Sequence, residues 1–163
     1  LIERRKKLDQ WRGSKTRPVN REFYHSIFNR DLAGTSDDAV PDALADAELP
    51  LCSEVPTGTY LDMCANLPVV NPWDITCPVM ILRGEHDGIA SEEDLFNFFM
   101  KLPNTDCQFV IIAGQAHVAP LGINRKRFWH AMDGFFQMPE RLDPHIAEDQ
   151  KVIEQRRLAG NKG

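Results

Sequence analysis

Apolar positions in this chain follow two different rhythms, and the change falls near Pro72-Trp73-Asp74-Ile75-Thr76-Cys77-Pro78. Before it, apolar residues recur at helical spacing in short bursts. Phe23, Ile27 and Phe28 form one burst, Ala39, Ala43 and Ala47 another, and a helix over Thr57 to Leu67 would carry Tyr60, Leu61 and Cys64 on one side. Pro18, Pro41, Pro50, Pro56 and Pro68 interrupt the region repeatedly, so it reads as a set of short helices without a sheet. After the change, two unbroken apolar runs appear, Pro78-Val79-Met80-Ile81-Leu82 and Gln108-Phe109-Val110-Ile111-Ile112. Runs so short and continuous predict strands buried on both faces of a parallel sheet.

Between the runs, Ser91 is placed to cap a helix whose first turn holds Glu92, Glu93 and Asp94, acidic residues that suit the positive end of a helix dipole. The spacing predicts a helix from Glu92 to Leu102 with Leu95, Phe98, Phe99 and Leu102 on its apolar face. A last helix over Asn124 to Phe136 is expected to turn Phe128, Met132, Phe135 and Phe136 towards the sheet. The order strand, helix, strand, helix implies right-handed parallel crossovers and an α/β architecture. Beyond Phe136 the chain turns polar, and a charged segment, Ile146 to Leu158, predicts a helix with a weak Ile146, Val152, Ile153 stripe that offers packing against the body or a second subunit. Residues 159–163 are expected to be disordered. The chain thus divides into a helical region over 1–71, an α/β body over 72–138 and a polar tail over 139–163.

Charge narrows the function classes. The net charge is −5 over 163 residues, with both signs interspersed, so no extended basic surface points to nucleic acid. The basic cluster Glu3-Arg4-Arg5-Lys6-Lys7, followed by Leu8 and Trp11, reads as the start of an amphipathic helix. No segment approaches the roughly 20 apolar residues that span a bilayer, and no signal-peptide apolar segment follows the basic start. Cys52, Cys64, Cys77 and Cys107 form no Cys-x-x-Cys pair, which argues against a zinc site and for free thiols in a cytoplasmic protein, although four cysteines permit three disulfide pairings outside the cell. The opening on Leu1 rather than methionine is what a processed or truncated N-terminus would give.

The candidate chemistry sits just past the two apolar runs. Arg83-Gly84-Glu85-His86-Asp87-Gly88 follows the first, and Ala113-Gly114-Gln115-Ala116-His117-Val118 follows the second. Ligands of open α/β sheets gather beyond the carboxyl ends of strands, and adjacent parallel strands lie about 4.8 Å apart, so Asp87 and His117 can meet there. A carboxylate in that position would accept the Nδ1 proton of His117 and stabilise the imidazolium form. Glu85 is an alternative acid and His86 an alternative base. His25, His130 and His145 sit in predicted helices or near the tail without a carboxylate pattern and read as surface or structural residues. No metal site is indicated.

Gly84-Glu85-His86-Asp87 and Gly114-Gln115-Ala116-His117, each after an apolar strand and separated by a helix, resemble the acid- and histidine-bearing segments of the α/β-hydrolase superfamily, where the triad runs nucleophile, acid, histidine along the chain. The resemblance is clearest from Pro72 to Phe136. It implies that the body is the C-terminal part of an α/β-hydrolase sheet, and that the helical stretch from Asn20 to Leu67 stands where the family inserts a cap over the site. Phe23, Tyr24, Phe28, Leu61 and Met63 would then be cap core residues or line a substrate pocket. The nucleophile elbow, usually Gly-x-Ser-x-Gly, and the oxyanion-hole loop are absent from these residues. Ser36 in Gly34-Thr35-Ser36-Asp37-Asp38 follows no strand and reads as a helix N-cap, while Cys52 and Cys64 read as structural thiols.

The resemblance implies hydrolysis of an ester, lactone, amide or C–C bond of a small-molecule substrate, with no cofactor, Asp87 and His117 as catalytic residues, and the N-terminal half of the same protein as partner. An aspartate nucleophile would instead give a haloalkane dehalogenase or epoxide hydrolase. An elbow without a nucleophile would give a binding protein.

Overall fold

The computed structural model describes residues 8–143 and 145–160; the basic cluster over 3–7 lies outside the described residues. The fold is mixed α/β, with seven α-helices and two small sheets among the described residues. Close packing divides the chain into two units: the chain up to Ser26 together with Asp38–Val70, and Ile27–Asp37 together with the chain from Asn71 onward.

The first unit contains α1 (Leu8–Arg12), β1 (Thr16–Pro18), α2 (Arg21–Phe28, whose last two residues belong to the second unit), α3 (Ala39–Glu48), β2 (Glu54–Pro56) and α4 (Gly58–Ala65). The sheet was not expected. β1 and β2 pair antiparallel with Thr16 opposite Pro56 and Pro18 opposite Glu54. Each strand has three residues and ends on proline, too short for a period-two pattern to register and limited in the ladder bonds it can donate. Arg17 lies between the Phe23 and Tyr60 rings, 4.5 and 4.6 Å from their centres, and Trp11 of α1 stacks obliquely on Tyr60 at 5.0 Å. The α3 helix forms where expected but turns a different face inward. Pro41 and Ala45 are buried, whereas Ala39, Ala43 and Ala47 are exposed. Pro41 lies in the first turn, where its missing N–H would have had no helical acceptor, so it starts the helix rather than breaking it.

In the second unit, β3 (Val79–Gly84) and β4 (Cys107–Ile112) pair in parallel, with Val79 opposite Cys107 and Gly84 opposite Ile112. The crossover helix α5 (Glu92–Phe99) begins as expected, the Ser91 hydroxyl accepting the Asp94 N–H at 3.1 Å. It ends three residues early, because the N–H groups of Lys101 and Leu102 bond to carbonyls three residues back in tightened turns. Phe96 and Phe99 meet Phe109 of β4 edge-on, with ring centres 5.7 and 5.6 Å apart. The helix α6 (Arg125–Phe136) packs on both strands; Phe128, Ala131 and Phe135 are half-buried, while Met132 and Phe136 stay exposed, Phe136 at 76%.

The strands themselves are only half-buried along most of their length, contrary to the expectation of burial on both faces, because among the described residues each pairs with the other alone. The final helix α7 (Ile146–Gly160) packs on the 3-10 turn Pro72–Asp74 and runs through Ala159 and Gly160, two residues expected to be disordered; residues 161–163 lie outside the described residues. All four cysteines are free thiols, and among the described residues no helix is long and apolar enough to cross a membrane.

Phe28 is the largest fully buried side chain, 1% exposed, and replacing it with alanine removes a whole ring from a packed interior. Phe28→Ala is expected to lower stability by about 3–5 kcal/mol in urea unfolding followed by circular dichroism.

Candidate functional site

The two strands end level, and the loops that leave them are laced together by backbone. The Glu85 N–H donates to the Ile112 carbonyl at 3.0 Å, one step past the ladder, and the His86 N–H donates to the Gln115 carbonyl at 2.8 Å. So close an approach requires Gly84: a Cβ there would lie 2.4 Å from the Ala116 carbonyl oxygen and 2.5 Å from that of Gln115. Gly114 turns the second loop with φ +67°, a left-handed conformation that favours glycine. Its N–H donates to the Glu85 carboxylate at 2.9 Å.

This lacing brings Asp87 and His117 together. His117 Nδ1 is 3.1 Å from each carboxylate oxygen of Asp87. Asp87 Oδ1 also accepts the N–H groups of Ile89 at 2.8 Å and Ala90 at 3.3 Å, an Asx-type turn that fixes the carboxylate before the imidazole arrives. From β3, the buried Arg83 donates to the Asp87 carbonyl at 2.9 Å and to Glu92 of α5 at 3.1 Å, tying the acid turn to the helix after it. The Asp87 side chain is 9% exposed and that of His117 is 38% exposed. A carboxylate facing a ring nitrogen accepts its proton, so Nδ1 carries the hydrogen and Nε2 is left as the basic nitrogen.

Behind His117, Gln115 is fully buried. In the amide orientation that pairs donor with acceptor, its oxygen receives the Asn124 N–H at 2.6 Å and the Arg125 N–H at 3.2 Å, capping α6. Gly122 lets that side chain pass, since a Cβ there would collide with the Gln115 amide.

The other sequence candidates are accounted for. Glu85 holds Gly114, and its carboxylate lies 3.4 Å from the His86 ring, so both serve the lacing of the loops. His25 and His145 were expected to lack carboxylate partners but have them: His25 Nε2 is 2.9 Å from Asp42, and His145 Nδ1 is 3.1 Å from Glu148. Both pairs lie on exposed helix surface, and Asp42 is shared with Arg21. Ser36 is not a helix cap. It is buried, its N–H donates to Asn29 Oδ1 at 3.0 Å, and α3 starts three residues later. Cys64 is buried in α4, and Cys52 donates to the Glu54 carbonyl.

Two residues reach this unit that the sequence did not single out, Arg30 and Asp31. They lie on a loop closed by the Asn29 side chain, which accepts the Ser36 N–H and donates to the Ser36 carbonyl at 3.3 Å. The loop is docked by the Ile123 N–H, which donates to the Thr35 carbonyl at 3.0 Å. Asp31 sits against Gly88, immediately after the acid, where a Cβ would lie 2.5 Å from its carboxylate. Arg30 grips the Asp31 carboxylate with two hydrogen bonds, 2.9 and 2.7 Å. That grip holds Asp31 below the usual carboxylate range against the opposing effect of burial, and the Gly88 N–H and the charge on His117 act in the same direction as Arg30. An adjacent Arg-Asp pair far upstream carries no local signal of this placement.

No protein family, curated relative or solved structure matches this chain.

Gly84→Ala forces backbone apart at the closest point of the two loops, so it is expected to cost about 1–3 kcal/mol and to lengthen the Asp87–His117 bond, seen as loss of a downfield His117 Nδ1 proton resonance. Asp31, with its folded value lowered, contributes stability that is present above the ordinary carboxylate value of about 4 and is lost as pH falls through the lowered one. Unfolding measured between pH 5 and pH 2.5 is therefore expected to show a shallower acid loss in Asp31→Asn than in the unaltered protein.

Proposed function

We propose that this chain carries the acid and base of a hydrolase that cleaves an ester, lactone, amide or C–C bond through a nucleophile–His–Asp triad, with a nucleophile supplied from outside these 163 residues. The observation that carries this reading is the pairing of His117 Nδ1 with both oxygens of a nearly buried Asp87, beyond the carboxyl ends of adjacent parallel strands. Here the carboxylate is preset by two backbone N–H groups, and the imidazole, its Nδ1 taken by Asp87, is 38% exposed. The likeness to the α/β-hydrolase superfamily in the two Gly-x-x-Asp and Gly-x-x-His segments points the same way.

In this reading the attacking hydroxyl gives its proton to His117 Nε2 as it adds to the carbonyl. The imidazolium so formed is held by Asp87, then returns the proton to the leaving group. His117 next takes a proton from a water whose oxygen adds to the acyl carbonyl, and returns it to the nucleophile's oxygen as the bond to that oxygen breaks and the acid product leaves. Asp87 stays ionised throughout and fixes the ring.

The full-length protein assayed with p-nitrophenyl esters of increasing acyl length is expected to turn over at least one of them, and a fluorophosphonate is expected to label one serine. His117→Ala should reduce kcat by roughly 10³-fold or more. Unchanged turnover in His117→Ala would sink the reading, and turnover without fluorophosphonate labelling would reassign the nucleophile.

A further inference from the structure

Besides the half-buried Phe128, Ala131 and Phe135, α6 carries a row of exposed side chains: Arg125, Trp129, Met132 and Phe136. Spaced by four, three and four residues, they share one arc of the helix, roughly 60° wide at 3.6 residues per turn. Trp129 and Phe136 leave 47% and 76% of their surface in water. Single exposed apolar residues need no explanation, but Trp, Met, Phe and Arg in one stripe have the composition of an interface core. A shallow hollow lined by Lys126, Trp129, His130, Met132 and Asp133 runs along the same side of the helix. Lys126 and Asp133, seven residues apart, line one flank of the stripe with opposite charges. The first turn also holds three cations, Arg125, Lys126 and Arg127, and no acid, while the last turn holds no base. That is the reverse of what the helix dipole favours.

We propose that a second copy of the chain docks on this stripe, two α6 helices packing antiparallel about a two-fold axis level with the His130–Ala131 peptide. The stripe is its own complement under that operation. Arg125 falls opposite Phe136 of the second copy and Trp129 opposite its Met132, so a guanidinium meets a ring and a thioether meets an indole, each twice. Ile123 and Met138, exposed just beyond the two ends of the helix, are related by the same operation. The charges agree with it too. On the shared flank Lys126 comes beside Asp133 of the second copy, and Asp133 beside its Lys126. The first-turn cations, unfavourably placed on their own helix, lie along the last turn of the other, where free carbonyls form the negative end of its dipole. An unrelated apolar partner has no reason to follow this two-fold register in both side-chain size and charge. One helix pair is smaller than the roughly 800 Å² per partner of a standard interface, so the dimer is expected to form in the micromolar range.

The experiment is sedimentation equilibrium of the full-length protein over a concentration series reaching about 100 μM, where a mass twice that of one copy is expected. Trp129→Glu should weaken association at least tenfold. Lys126→Asp sets an acid against Asp133 of the other copy, and Asp133→Lys sets two amines together, so each variant alone should sediment as a monomer. Mixed in equal amounts, the two should form a heterodimer, because every flank contact then joins opposite charges. Both substitutions suit the dipole of their own helix, so urea unfolding of the monomeric variants should show no loss of stability that could account for the dissociation. A protein that is monomeric throughout overturns the proposal, as does a dimer that Trp129→Glu leaves intact. Failure of the mixed variants to associate overturns the antiparallel register. A monomer whose urea stability falls in Trp129→Glu assigns the stripe to another segment of the same protein and overturns the dimer.

Discussion

The site depends on one contact between two stretches of backbone, the passage of Gly84 beneath Gln115 and Ala116. There the loop after β3 and the loop after β4 run closer than any side chain allows, and the hydrogen bonds from Glu85 to Ile112 and from His86 to Gln115 extend the parallel ladder past the last paired residues. Asp87 and His117, 30 positions apart in sequence, meet because each lies a fixed few residues beyond that crossing. The crossing is reinforced from below by Gln115, which is buried and joined to the start of α6. Orientation of the histidine is thus tied to the packing of α6 on the sheet.

The sheet that supports this arrangement is thin. Parallel pairs normally lie within sheets covered on both faces, yet β3 and β4 leave Ile111 at 42% exposure, and the neighbouring helices expose Phe96, Met100, Trp129 and Phe136. Lost burial at about 25 cal/mol per Å² is substantial for side chains of this size. Their rings and methyls are stabilised only in part by the aromatic contacts among Phe96, Phe99 and Phe109. The Asp87–His117 pair is therefore held less by a thick core than by local polar closure: the Asx turn at Asp87, the Arg83 bridge and the Gln115 cap.

Those local closures explain how much could be read in advance. The strands, the Ser91 cap and the level placement of the two loops were legible because each depends on residues close together in sequence. The face of α3 was misread because alanine is too small to mark an inward side, and the half-buried Val40 and Leu44 beside the buried Pro41 and Ala45 decide it. Met132 and Phe136 were misread for the opposite reason. Apolar side chains at helical spacing mark a face, but how much of it is covered depends on what packs there. The antiparallel pair of β1 and β2 joins segments 38 positions apart through three residues each, below any periodic signal. Asp31 was invisible because nothing in Asn29-Arg30-Asp31 announces a distant acid turn as its neighbour.

Two carboxylates flank Gly88, Asp87 in sequence and Asp31 in space. Asp87 must satisfy two backbone N–H groups and a ring nitrogen with two oxygens, which disperses its charge over three donors while securing its position. A carboxylate so occupied is a good orienting group and a diluted source of field. Asp31 makes the opposite compromise. Its partner Arg30 keeps it ionised yet lies on the same loop, so the pair forms a dipole fixed by Asn29, Thr35 and Ile123 rather than a free charge. A dipole fixed in this way costs little reorganisation when charge changes nearby, which is the condition under which electrostatic stabilisation is most effective.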